Sequence, residues 1–270
     1  MKTIRPPAVA GMFYPENPDT LKDMIEQDLA QANPASVASV AFVPKVLIVP
    51  HAGYIYSGPI AASAFALLKP YRQLIKQVVI IGPSHRVGFN GVAISSADAF
   101  DTPLGAIPID KSAQAKLSKI TGVHIINEAH AAEHSLEVQL PFLQTILDKF
   151  SIVPIVAGDA SPQLISSIIE ILWGNPETLI LISSDLSHYH PYRIAQQLDK
   201  ITSQAILDLD VNTIDSMHAC GCVGIRGLLT FAQRHPLEAS LLDLRNSGDT
   251  AGSSKDNVVG YGAYLFTEIA

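Results

Sequence analysis

Cysteine is nearly absent: the 270 residues hold two, Cys220 and Cys222, with one glycine between them. Thiols that close in sequence do not easily reach disulfide geometry, and a lone C-x-C lacks the second pair of a zinc ribbon. The pair therefore reads as reduced thiols, which fits a reducing compartment. Charge is also scarce, at 16% of residues, and the net charge of −7 comes with no cluster of Lys and Arg. A nucleic-acid surface needs a basic stripe to neutralise phosphates, so nucleic acid is excluded as a partner class. No uninterrupted apolar run approaches the ~18 residues of a membrane span. Met1-Lys-Thr-Ile-Arg5 leads into Gly, Pro, Glu and Asp rather than an apolar segment, so no signal peptide is expected and the location expected is cytoplasmic. Internal repeats, low-complexity tracts and linkers are missing too. With 48% hydrophobic residues, the chain can bury a large core, and one domain over residues 1–270 is expected.

What is present is a construction used three times. Lys45-Val-Leu-Ile-Val-Pro50 is a short β-branched run that ends at His51, after which Gly53 and Gly58 let the chain turn into a helix read over Pro59 to Leu68. Gln77-Val-Val-Ile-Ile-Gly-Pro-Ser84 ends in the same way at His85. Thr178-Leu-Ile-Leu-Ile-Ser-Ser184 does so at Asp185, with His188 and His190 close behind. Ligands of parallel α/β sheets bind at the carboxyl ends of strands, where these side chains would lie.

The remaining chain supports that architecture. Pro6 to Pro15 reads as a proline-punctuated arm packed along the domain. A helix follows from the cap candidates Asn17 and Asp19 through Leu21, Met24, Ile25 and Leu29, then a small-residue connection from Asn33 to Pro44. Gly91–Ser96 and Ala106–Asp110 read as an antiparallel hairpin, Lys111–Ile120 as a helix and Gly122–Ile126 as a strand. Glu133–Leu147 reads as a longer helix kinked at Pro141. Strand, helix and strand follow, then helix from Tyr192 to about Arg234 with a break near Gly221, and two closing strands around the polar loop Asn246–Ser254. The expectation is an α/β fold with a mixed, mainly parallel sheet flanked by helices on both faces.

A single histidine after a strand is an ordinary loop residue, but His51, His85 and His188 at one sheet edge with Asp185 and Asp249 form a candidate site. Neutral imidazole is the commonest ligand of Zn, Fe, Cu and Ni, and two histidines with one carboxylate suit non-haem Fe(II). A His–Asp general base without metal is the weaker alternative, since no G-x-S-x-G elbow supplies a serine nucleophile. Glu133 either caps a helix, or His134 and Glu137 project to the same edge and support the site. Tyr54 and Tyr56 either wall a pocket or are half-buried packing residues.

In combination and order, Ala8-Gly-Met-Phe-Tyr-Pro, Pro50-His-Ala-Gly-Tyr54, Gly82-Pro-Ser-His85, Glu133-His-Ser-Leu-Glu137 running on to Phe142, Ser183-Ser-Asp-Leu-Ser-His188, Ala219-Cys-Gly and Asn246-Ser-Gly-Asp249 resemble the motifs of the Memo family. The fold of that family is similar to the catalytic subunit of class III extradiol dioxygenases. The resemblance implies that His51 and His85 are metal ligands and that His188, with Asp185 beside it, is an acid–base residue of the same pocket. Some Memo proteins carry a cysteine in the segment matching Asn246 to Ala251, and the dioxygenases use a glutamate as third ligand. This chain has neither there; its Asp249 would complete a two-imidazole, one-carboxylate set. Fe(II) is then the expected metal, with copper and zinc as alternatives. The implied function is a metal-dependent redox enzyme acting on a small molecule. The alternative is an adaptor that binds a protein or a phosphorylated peptide, and a metal-dependent hydrolase is the weaker third reading. Bacterial and archaeal relatives often occur near a radical-SAM protein, which implies a shared pathway.

Overall fold

Runs rich in Val, Ile and Leu, bounded by proline and glycine, form strands buried on both faces at the centre of the structure. The computed structural model describes residues 2–32, 43–252 and 254–269. Most of the connection expected over Asn33–Pro44 lies outside the described residues. In chain order the elements are β1 (Ile4–Arg5), α1 (Pro18–Gln31), β2 (Val46–Val49), α2 (Tyr54–Phe65), β3 (Gln77–Pro83), β4 (Val92–Ile94), β5 (Ala99–Phe100), β6 (Ile107–Pro108), α3 (Lys111–Leu117), β7 (Val123–Ile125), α4 (Asn127–Ala131) and α5 (Leu140–Ile146). Then come β8 (Ser151–Ala157), α6 (Pro162–Leu172), β9 (Thr178–Ser183), β10 (His188–His190), α7 (Tyr192–Leu207), α8 (Cys222–Ala232), β11 (Leu237–Asn246), α9 (Ser247–Thr250) and β12 (Val258–Glu268).

Nine strands form the main sheet in the order β10-β12-β2-β9-β3-β8-β4-β7, with β11 on β12. The centre is parallel: β2 pairs with β9, β9 with β3 and β3 with β8. The antiparallel pairs β12–β2 and β8–β4 flank it. Because side chains alternate along a strand, each central strand feeds two cores. Leu47, Val49, Val78, Ile80, Leu179 and Leu181 pack with α1, α2 and α5 on one face. Val46, Ile48, Val79, Ile81, Ile180 and Ile182 pack with α6 and α8 on the other. This is the α/β sheet with helices on both faces that the sequence leads one to expect.

Local differences have physical causes. The expected hairpin is split: β4 joins the main sheet, and β5 pairs with β6 in a small sheet that also takes in β1. The helix expected from Glu133 begins only at Leu140, so Pro141 sits in its first turn, where a missing N–H costs nothing, and does not kink it. α2 begins at Tyr54 rather than Pro59. The helical stretch after Tyr192 is two helices, α7 ending at Leu207 and α8 starting at Cys222. Asn17 caps α1 as expected, its side chain accepting from the Thr20 N–H.

α8 and α6 meet through Gly227, where an added Cβ would run into the Cβ and Cγ2 of Ile165. The Ile165 Cβ is fixed to its backbone, so the helices themselves would have to part. Gly227→Ala is therefore expected to destabilise the fold by about 1–3 kcal/mol. Urea unfolding should show a lower midpoint at unchanged slope.

Candidate metal centre

The order β2-β9-β3 places the carboxyl ends of the three histidine-bearing strands side by side. His51 follows β2, His85 follows β3, and Asp185 and His188 follow β9. His51, His85, Asp185 and His188 all line one cavity of about 560 Å³. A fourth imidazole arrives from the loop before α5: His134 stacks on His85, with ring centroids 4.6 Å apart and 21° between planes. One nitrogen from each of His51, His85 and His134 lies within 4.8 Å of the other two.

Hydrogen bonds decide which nitrogens face this cluster. The Ser183 hydroxyl donates to Ser135 O (2.6 Å) and accepts from Gln139 Nε2 (2.8 Å). Its remaining lone pair accepts from His51 Nδ1 (2.9 Å), so that nitrogen carries the proton and Nε2 carries the lone pair. Gln139 is held in this orientation because its Nε2 also donates to Pro50 O (2.9 Å). On His85, Nδ1 donates to Glu133 Oε1 (2.8 Å), again leaving Nε2 free. His134 Nδ1 lies 3.5 Å from the same carboxylate oxygen but forms no hydrogen bond, and it is buried without another partner.

Burial holds the His51 pKa well below its ordinary value, and the neighbouring imidazoles of His85 and His134 lower it further. Burial and then His85 lower His134 to about 4. Both rings are neutral at neutral pH, so their lone pairs are available to a metal. Burial opposes ionisation of Glu133, yet the ring and backbone N–H of His85 and the Ser135 N–H outweigh it, and the carboxyl falls to about 2. Burial pushes Asp185 up to about 6 despite the His51 N–H that its Oδ1 accepts at 2.7 Å. His188 Nδ1 lies 2.8 Å from Leu186 O; a carbonyl only accepts, so Nδ1 is the protonated nitrogen.

Residues 5–265 match the family model described as Memo-like protein. The chain belongs to the Memo family. It is 34% identical to a MEMO1 family protein of Metallosphaera sedula, with 98% of this chain and 99% of that one covered. A MEMO1 family protein of Ignicoccus hospitalis is 37% identical, with 97% and 98% covered. A crystal structure of an uncharacterized protein from Escherichia coli K12 shares the fold at a TM-score of 0.51 and 13% identity, over 80% of this chain and 99% of that one.

Within this Memo-family chain, three residues considered for the site make contacts of a different kind. Asp249 is not among the clustered ligands: its Oδ2 accepts from the Asn246 N–H (3.0 Å) and its Oδ1 from the Tyr192 hydroxyl (2.5 Å), which makes it half of a capping box on α9. Tyr54 is buried in the core, donating its hydroxyl to Val138 O (2.7 Å), and of the pair Tyr54 and Tyr56 it is Tyr56 that lines the cavity. Glu137 is completely buried and holds the N-terminal arm through Arg5, the N–H groups of Ala8 and Val9, and the Tyr14 hydroxyl. It therefore shapes the site through the arm, whose Phe13 packs on the His134 ring at 4.6 Å.

Sequence reasoning missed three contributors. Ser183 and Gln139 are ordinary polar residues in apolar runs, and only their burial without solvent gives them away. Cys220, a free thiol, brings its Sγ to 3.2 Å from His51 Nε2, a contact between residues 169 positions apart. Burial, and then the Asp185 carboxylate, push its pKa up, so it is a neutral thiol in this setting.

Arg5 and Glu137 have side chains 5% and 0% exposed. Glu137→Ala strands the buried guanidinium and several N–H donors, and is expected to cost about 3–5 kcal/mol. Limited proteolysis should then cut within residues 5–14 before the core, whereas the wild-type arm resists.

Proposed function

We propose that this chain is a metalloprotein that holds a divalent first-row ion on His51, His85 and His134 and works as a redox enzyme on a small molecule. The observation that carries this is the convergence of three imidazoles. Two have their tautomers fixed so that Nε2 carries a lone pair, that of His51 facing the Cys220 thiol at 3.2 Å, and the third has a buried nitrogen without a partner. A buried nitrogen such as His134 Nδ1 is costly unless something satisfies it, and a metal does. Imidazole sets suit iron, copper and zinc. The Asp185 carboxylate in the same cavity keeps Fe(II) foremost. When bound, the ion supplies Lewis-acid polarisation and, if it is iron or copper, a redox couple.

The protein's own residues supply the rest. His188 presents Nε2 with Nδ1 anchored on Leu186 O, so it takes or gives a proton at that one atom. Asp185, lifted to about 6 by burial, sits at the same edge as the second proton-holding group. Glu133 and Ser183 orient His85 and His51. A cavity of about 560 Å³, lined by Phe13, Tyr56, Tyr261 and Arg86, has the size and the mixed apolar and cationic lining of a small-molecule site.

Anaerobic purification followed by elemental analysis tests the metal. His51→Ala and His85→Ala should each lose the ion while keeping the wild-type circular dichroism, because the ligands lie in loops above an intact core. Full metal content in both variants would sink the proposal. Ser183→Ala removes the acceptor of His51 Nδ1 and should weaken metal affinity about 10- to 100-fold. His188→Ala should keep the metal and lose turnover, read as O₂ consumption with a panel of reductants and phenols. Metal uptake without consumption under any of these conditions would leave a metal-bearing binding protein.

A further inference from the structure

Tyr189 combines three unusual features at the mouth of the cavity. Its φ is +59°, one of two positive values among the described non-glycine residues, and tyrosine has no side-chain group that makes the left-handed region easy. It is also an extra residue in its strand: along β10 and β12, His188 pairs with Val259 and His190 with Val258, so Tyr189 bulges out between two consecutive partners. Finally, the residue is 73% exposed yet lines the cavity, its ring set edge-on to the His188 ring at 5.8 Å and 65°.

Burial gives no reason for this conformation, since the residue is mostly exposed. Strand pairing on either side keeps it in place, and the Asn257 amide, turned so that its nitrogen faces the backbone, can donate to Tyr189 O at 3.1 Å. A bulge next to a site re-aims a side chain, and backbone strain that packing does not explain clusters where ligands are held. An unstrained strand would send this ring to another face. The bulge instead adds it to the aromatic lining that already includes Phe13 and Tyr56.

We infer that Tyr189 is a specificity-determining residue whose ring is bulged out to stack against a flat, unsaturated ligand held at the imidazole cluster. The inference rests on the metal site proposed above and adds what selects the ligand there. Tyr189→Asn removes the ring while keeping a residue that tolerates the left-handed backbone. Tyr189→Phe keeps the ring and loses only the hydroxyl.

The test uses the full chain loaded with Co(II) under anaerobic conditions and two oxygen chelators, nitrocatechol, which is flat and aromatic, and acetohydroxamate, which has no ring. Metal uptake is measured first, then binding by the visible spectrum of nitrocatechol and by its displacement. The Asn variant should bind nitrocatechol about tenfold more weakly, bind acetohydroxamate as wild type does, and unfold at a temperature no lower than wild type. The Phe variant should match wild type with both chelators. Equal weakening of both chelators by Asn, no weakening of either, or a Phe variant that behaves like Asn overturns the inference. Loaded wild type that ignores nitrocatechol overturns it as well, while leaving the metal reading intact. A wild type that takes up no Co(II) removes the metal reading and the inference together.

Discussion

The site depends on the single buried carboxylate of Glu133. Its Oε2 accepts from the His85 N–H (2.6 Å), and its Oε1 accepts from the His85 ring and from the N–H groups of His134 and Ser135 (2.9 Å each). One side chain thus joins the end of β3 to the loop before α5, and fixes the backbone that carries two stacked imidazoles. Charged acceptors form the stronger hydrogen bonds, and in a buried setting they are costly to leave unfilled. Four N–H donors on one anion make the loop's irregular path stable without helix or sheet. That also explains why regular helix starts only at Leu140.

Much of this was legible in the sequence because it follows from period and position. Strands buried on both faces read as continuous apolar runs, and three of them ended in histidine. Parallel pairing then brought those ends together without further information. Glu137 and Tyr54 are harder to read because their partners lie far away in sequence, whereas the capping partner of Asp249 is local. Glu137 was read with His134 as part of one helix face. Its partners are Arg5, Ala8, Val9 and Tyr14, more than 120 residues away, and no local pattern reports that. Asp249 looked like a third ligand because a carboxylate was wanted at that segment. Asn246 three residues earlier makes it a capping box instead, with Asp standing where the usual pattern has Glu or Gln.

His134 is the instructive intermediate. The sequence leaves open whether Glu133 merely caps a helix or His134 supports the site, and the expected helix does not form there. Once Glu133 turns the chain, the His134 ring lies on His85 and edge-on to His51 (5.5 Å, 84°). The polar residues around it follow the same logic. Ser135, Gln139 and Ser183 lie in the core, where each needs a partner. The partners they find set the protonation of the imidazole that carries the candidate chemistry.

The arm that Glu137 holds has a bearing on how the molecule is made. Arg5 and its carboxylate partner are 132 residues apart, and at about 5–20 residues per second the ribosome needs roughly 7–26 s to cover that distance. For all of that time the Arg5 guanidinium lacks its carboxylate partner, although Phe13 and Tyr14 can already meet Tyr54, about 40 residues on. Contacts of such long range form late, since the loop they close must first be ordered. The part of the cavity wall that is synthesised first is thus locked by one of the last contacts to form, the closure of the arm on Glu137.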